Sequence, residues 1–254
     1  MGTHGVNTAT DEESHRRAVQ NVLRDLNALE SMIEIGSFET DRRRIGAEQE
    51  LMLLDRSCRP VPKSEELLAR LNDPRIVPEL ARFNIEFNCD PILIGPECLT
   101  TLHNQLVDVF GHIEREAAEI GTVPLMTGIC PTIDLADCSR DNLSPQARYA
   151  ALDDMLRLMR GTDYELHIEG ADELLVRHPS VMLESVNTSF QVHFQTTPDE
   201  FAAAYNTALA VAAPVLAASV NSPILFGKRL WRETRIAIFQ QVVDTRTRNV
   251  GQRE

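Results

Sequence analysis

The chain has 254 residues, enough for one large domain or two small ones, and its hydrophobic fraction of 43% is ordinary for a globular protein. Its 25 basic and 38 acidic residues leave a formal charge of −13, which argues against nucleic acid or an anionic membrane surface as partner, because neutralising phosphate needs clustered Lys and Arg. There is no signal-peptide hydrophobic region and no uninterrupted run of the roughly 18 apolar residues a membrane span needs, and five scattered cysteines without a CxxC pair read as reduced thiols, so a cytoplasmic protein is expected.

Residues 1–12 are polar and are expected to form a loose tail, with residues 13–254 as a single domain. Val19, Val22, Leu23, Leu26, Leu29 and Ile33 recur at helical spacing and predict a helix over 13–35, stopped at Gly36. The short basic run Arg42-Arg43-Arg44 reads as a solvated lead-in to a strand over 45–55. Ile45, Ala47, Leu51 and Leu53 fall on one face of that strand, and Gly46, Glu48, Glu50, Met52 and Leu54 on the other; Gln49 interrupts the apolar face. A turn with Pro60 and Pro62 leads to a helix over 64–71 with Ser64 as its N-cap, and a strand over 84–88 is bounded by Asp90-Pro91.

Leu102, Leu106, Val109, Ile113 and Ala117 predict an amphipathic helix over 100–120, followed by a strand over 123–130 that ends at Pro131. Ser144-Pro145 is expected to open a helix reaching 160, with Pro in the first helical position. Residues 185–195 alternate most cleanly, setting Phe190, Val192 and Phe194 against Ser189, Gln191, His193 and Gln195. Thr197-Pro198-Asp199-Glu200 reads as a capping box before an Ala-rich helix kinked at Pro214, and a last helix is expected over 232–243. Strands with one polar face point to an α+β sheet with one face open to ligand.

Residues two apart on a strand share a face, so Glu48 with Glu50, Glu86 with Asn88 and Gln191 with His193 each project together. Paired carboxylates suit Mg²⁺ or Mn²⁺, hard cations that take oxygen ligands. On spacing alone these acids fit a solvated strand face as well as a metal site; the same pattern on three strands favours the site. Phosphate loops of the G-x-x-x-x-G-K-[ST] and G-x-G-x-x-G kinds are missing, so phosphates would fall to metal and to Arg229, Arg232 or Arg235. Cys89 reads as a packing thiol, with nothing basic nearby to make it a thiolate.

The G-x-E-x-E strand (Gly46, Glu48, Glu50), the E-x-N strand (Glu86, Asn88), the Q-V-H-F stretch from Gln191 to Phe194, and Asn221-Ser222-Pro223 followed by Gly227 and Arg235 occur in that order. Gly128-Ile129-Cys130-Pro131 and Arg148-Tyr149 fit the same pattern. In these motifs residues 40–250 resemble the glutamate–cysteine ligase family of the bacterial and plant type, the carboxylate–amine ligases. The resemblance implies a glutamine-synthetase-like catalytic fold, a largely antiparallel curved sheet with helices packed on one face, present here as the N-terminal part of a longer domain. It implies ATP and Mg²⁺ (or Mn²⁺) as cofactors, with glutamate and cysteine or another amine as small-molecule substrates joined through an acyl phosphate. Glu48, Glu50 and Glu86 would hold the metal and His193 would join the metal–phosphate shell. Arg235 would bind a substrate carboxylate or the transferring phosphoryl group, and Asn88, Gln191 and Arg229 would face the nucleotide. A metal-dependent hydrolase using the same acids, and a non-catalytic glutamate- or nucleotide-binding protein, are the alternatives. The amphipathic first helix could pair two copies into a homodimer or pack on its own sheet.

Overall fold

The computed structural model of the chain describes residues 12–243. Helix α1 (Glu12–Glu34) precedes the strand that organises everything after it, β1 (Arg44–Leu54). There follow α2 (Ser64–Leu71), β2 (Ile76–Pro78), β3 (Asn84–Asn88), β4 (Ile92–Leu93), α3 (Cys98–Glu119) and β5 (Val123–Leu125). Then come α4 (Ala147–Arg160), a hairpin of β6 (Tyr164–Glu169) and β7 (Glu173–His178), a 3-10 helix (Val181–Val186) and β8 (Phe190–Phe194). Helix α5 (Pro198–Ala218), the hairpin β9 (Ile224–Leu225) and β10 (Lys228–Arg229), and α6 (Thr234–Val243) complete the described chain.

β1 pairs antiparallel with β3, β4, β5 and β8, and β2 extends the sheet beyond β3. Its pleat divides two environments. Ile45, Ala47, Leu51 and Leu53 join Ile85 and Phe87 of β3 under α2 and α3, which contribute Leu67, Leu71, Leu102, Val109, Ile113 and Ala117. The helical spacing of those α3 residues is what turns one stripe of the helix onto the sheet. On the opposite face, Met52 and Leu54 enter a second core with Phe83, Tyr149, the β6–β7 hairpin, the 3-10 helix and α6. Between Gly46 and Met52 this face is left to Glu48 and Glu50.

The antiparallel α+β architecture agrees with the expectation, and β3 spans the expected residues. Several local signals are overridden. Ser64 is the first residue of α2 and is buried; it makes no capping hydrogen bond. α4 begins at Ala147 with Gln146 at its N-cap, leaving Pro145 outside the helix. Only residues 123–125 of the expected 123–130 strand pair with β1, because Gly128 and Ile129 turn away to meet Asn221 and Asn187. Ser185 and Val186 belong to the 3-10 helix, so the alternation over 185–195 becomes a strand only from Phe190. Thr197 is the N-cap of α5 with Pro198 at its first position, but its side chain makes no capping bond. The expected tail over 1–12 lies outside the described residues except for Glu12 at the head of α1. The β6–β7 hairpin was not expected, although Tyr164, Leu166 and Ile168 alternate and are all buried.

Three elements keep apolar faces in the open. The stripe of α1 from Val19 to Ile33 is exposed rather than packed on the sheet, as are Phe190, Val192 and Phe194 of β8. No residue of α5 is buried. By length and composition α5 is also apolar enough to cross a membrane, although Asn206, Thr207 and Pro214 interrupt its apolar run.

The two-sided sheet predicts a contrast in stability. Phe87 is fully buried and Phe194 is 67% exposed. Phe87→Ala should cost about 3–5 kcal/mol in denaturant unfolding, whereas Phe194→Ala should change stability by no more than about 0.5 kcal/mol.

Candidate functional site

On the polar face of β1, Glu50 lies opposite Glu86 of β3, and Glu48 lies opposite Asn88 on one side and Gln191 on the other. His193 is opposite Gly46, and its Nε2 reaches to 3.6 Å from Glu48 Oε1. The pleat and the antiparallel register therefore bring all six residues to one face of one sheet. They do not form one cluster. Carboxylate oxygens of Glu50, Glu86 and a third acid, Glu79, all lie within 4.8 Å of one another. Glu48 and His193 stand outside this trio as a pair of their own.

Glu79 was missed by sequence reading. It follows β2, whose Val77 pairs with Glu86, so Glu79 continues Val77's alternation toward the same face. The signal lies in the register between β2 and β3; a three-residue strand ending in Pro78 has too little pattern to show it. Asn88 donates from Nδ2 to Glu86 Oε1 at 2.8 Å and so orients a member of the trio. Glu50 is held by the Ser189 amide, which donates to its Oε2 at 2.6 Å. Gln191 sits on the exposed strand β8.

Burial makes this cluster electrostatically costly. It raises the Glu50 carboxyl to about 7, with the charges of Glu86 and Glu184 adding to the effect and the Ser189 bond opposing it. It likewise raises Glu79 to about 7, reinforced by Glu50 and Glu86 and opposed by Arg148. Glu184, on the 3-10 helix, is raised to about 7 by burial as well. The Tyr149 phenol is pushed up by burial first and by Glu79 second. Desolvated like charges favour their protonated forms, and a divalent cation reverses that preference. Three hard oxygen donors converging at this range fit Mg²⁺ or Mn²⁺ better than a soft metal. A further trio, His167, Glu169 and Glu173, lies exposed on the β6–β7 hairpin, where water competes for every ligand atom.

Arg235 is placed by an acid that the sequence reading did not single out. Glu233 Oε2 accepts from Arg235 Nε at 3.0 Å and Nη2 at 2.8 Å, and from Ser222 Oγ at 3.2 Å; its Oε1 accepts from the Asn221 amide at 2.8 Å. Arg235 Nη1 donates to the Thr188 carbonyl at 2.8 Å, one residue before Ser189. Gly128 packs into the same knot: a Cβ there would come within 2.3 Å of Asn221 Oδ1 and 2.8 Å of Arg235 Nε. The motifs around Gly128, Asn221 and Arg235 thus meet through side chains and adjoin the acids through residues 188–189. Arg229 does not join them. Its Nε and Nη2 bind Asp172 at 3.0 and 2.8 Å, which holds the Asp172 carboxyl below the usual range. Arg232 is exposed. Gly227 serves the β9–β10 turn, where Phe226 and Gly227 both have positive φ, the geometry of a two-residue hairpin. Cys89 is buried and its thiol is raised by burial, in keeping with a packing role.

One face of this antiparallel α+β sheet thus carries a half-buried carboxylate trio, and Arg235 is fixed near it through residues 188–189. Residues 44–253 match the model of glutamate-cysteine ligase family 2, and the chain belongs to that family. It is 30% identical over 135 residues to a Frankia alni protein named "Putative glutamate--cysteine ligase 2-3", covering 50% of this chain and 15% of that one. It is 35% identical over 102 residues to "Putative glutamate--cysteine ligase 2-2" of Frankia casuarinae, covering 39% of this chain and 11% of that one. The matched stretch thus spans less than a fifth of either relative's length.

Two predictions arise from this geometry. Glu50, Glu79 and Glu184 bind protons more tightly folded than at their usual value of 4.5. The stability they contribute is therefore full below about 4.5 and is lost as pH rises through about 7. Without divalent cations, the unfolding temperature should fall between pH 5 and 8, and Glu86→Gln should flatten that slope by removing a neighbouring charge. Separately, Gly128→Ala should destabilise the protein by about 1–3 kcal/mol in chemical unfolding, because the added methyl has no room beside Asn221 and Arg235.

Proposed function

We propose that this chain carries the cation-binding centre of an ATP-dependent carboxylate–amine ligase, which joins the γ-carboxylate of glutamate to the amine of cysteine or a related amine. The observation that carries the reading is the convergence of Glu50, Glu79 and Glu86 in a chain of glutamate-cysteine ligase family 2. In the proposed reaction a γ-carboxylate oxygen takes the terminal phosphoryl group of ATP and ADP leaves. The amine then adds to the acyl carbon, loses a proton, and phosphate departs with that oxygen. Such chemistry asks for positioning and charge neutralisation more than for covalent help from the protein.

The residues are suited to those tasks. Glu50, Glu79 and Glu86 would hold Mg²⁺ or Mn²⁺, which supplies the positive charge opposite the phosphates. Asn88 and the Ser189 amide fix two of the three carboxylates before the cation arrives. Three of the N–H groups of Arg235 are engaged with Glu233 and Thr188; a guanidinium has five, so two can meet a carboxylate or phosphoryl oxygen. Glu48 and His193 flank the trio on the same sheet face.

Calorimetric titration of the full chain with Mn²⁺ tests the centre. Glu86→Gln should weaken binding by more than the ~10–100-fold typical of losing a residue that only supports a ligand, and Asn88→Ala should fall within that range. Phosphate release from ATP should require glutamate and an amine together; hydrolysis of a phosphate ester or amide without ATP would instead mark a hydrolase. Mn²⁺ binding unaffected by Glu86→Gln would sink the reading.

A further inference from the structure

Glu184 and Asn187 lie at the end of the 3-10 helix Val181–Val186. Asn187 Nδ2 donates to Glu184 Oε1 at 3.1 Å. That bond sets the orientation of the amide, since reversing it would press two acceptor oxygens together. It also leaves Glu184 Oε2 and Asn187 Oδ1 as buried oxygens without a hydrogen-bond partner. A third such oxygen is Asn84 Oδ1, on a residue 3% exposed that shares the site face of β3 with Glu86. The two amide oxygens accept only, and so does the Glu184 oxygen when ionised; buried acceptors without donors are unfavourable.

The pair borders the carboxylate trio. From Asn187 the chain runs through Thr188 to Ser189, whose amide holds Glu50, and the charge of Glu184 is among those acting on Glu50. Thr188 also accepts from Arg235, so a guanidinium with two uncommitted N–H groups stands one residue from the acceptor pair. Glu184 stands outside the trio that could share one cation, although its charge acts on Glu50. A hard cation seeks several anionic oxygens, as the trio offers. One carboxylate oxygen beside one amide oxygen better suits a protonated amine with its three N–H donors. An acceptor pair close to an arginine is also the arrangement that a zwitterionic amino acid needs for its two charged ends.

We propose that Glu184 and Asn187 form the subsite for the protonated amino group of an amino-acid substrate, beside the cation held by Glu50, Glu79 and Glu86. The identity of that substrate rests on the ligase reading; the acceptor pair does not. The experiment is calorimetric binding to the full chain of L-glutamate against glutarate, and of L-cysteine against 3-mercaptopropionate, with and without Mn²⁺. Each pair differs in the amino group. At least one amino acid should bind ~10-fold or more tighter than its amine-free partner, the scale of a charge-assisted hydrogen bond. Glu184→Gln and, independently, the half-buried Asn187→Ala should bring that ratio close to one while Mn²⁺ affinity stays near wild type.

The inference is overturned if wild type shows no preference for the amine. It is equally overturned if both variants keep the preference, or lower only the unfolding temperature. Loss of Mn²⁺ binding in Glu184→Gln as severe as in Glu86→Gln would make Glu184 a cation ligand and also overturn it. Mn²⁺ binding that depends on Glu86, without amine preference, would leave the ligase reading standing and this subsite refuted. Amine preference without Mn²⁺ binding would do the reverse.

Discussion

Along β1 a single pleat separates an apolar face, packed under α2 and α3, from a polar face that carries Glu48 and Glu50. Four strands take their register from this one, all antiparallel. A slip of one residue between β1 and β3 would turn Glu86 toward the α2–α3 core and Ile85 and Phe87 toward the polar face, so burial on one face fixes what the other face carries. The arrangement of Glu86, Asn88, Gln191 and His193 around β1 follows from that constraint.

The polar face concentrates negative charge where water is scarce. Burial and mutual repulsion hold Glu50 and Glu79 near neutrality in their proton affinity, which is far from where an exposed carboxylate would sit. Hydrogen bonds from Asn88 and Ser189 oppose free rearrangement of the acids, and Glu233 performs the same service for Arg235. The acids and the arginine are joined by two residues of backbone, Thr188 and Ser189, so a displacement on either side is carried to the other. Preorganisation of this kind places charge before a substrate arrives rather than in response to it.

Helical periodicity states that a face will be buried without stating what will bury it. α3 and α1 both show such periodicity; α3 covers the sheet, while the apolar stripe of α1 remains exposed among the described residues. β8 adds its backbone to β1 but leaves Phe190, Val192 and Phe194 open, and α5 is apolar and uncovered along its length. Local pattern predicted the three helices with nearly correct bounds and β8 with its start five residues early, and whether each face is covered is a matter of tertiary contact alone.

The sequence by itself determined which residues share a face, because the two-residue repeat of a strand and the 3.6-residue repeat of a helix are local geometry. Glu48 with Glu50, Glu86 with Asn88, Gln191 with His193 and the buried stripe of α3 were legible for that reason, and the order of the motifs pointed to the family. Which residues converge was not legible. Glu79 reaches Glu50 and Glu86 through the pairing of a three-residue strand, Glu233 binds Arg235 and Asn221 across a turn, and Arg229 is taken by Asp172 from another hairpin. Those choices depend on contacts between segments far apart in the chain and on the charge each partner must find once buried, and only the tertiary structure decides them.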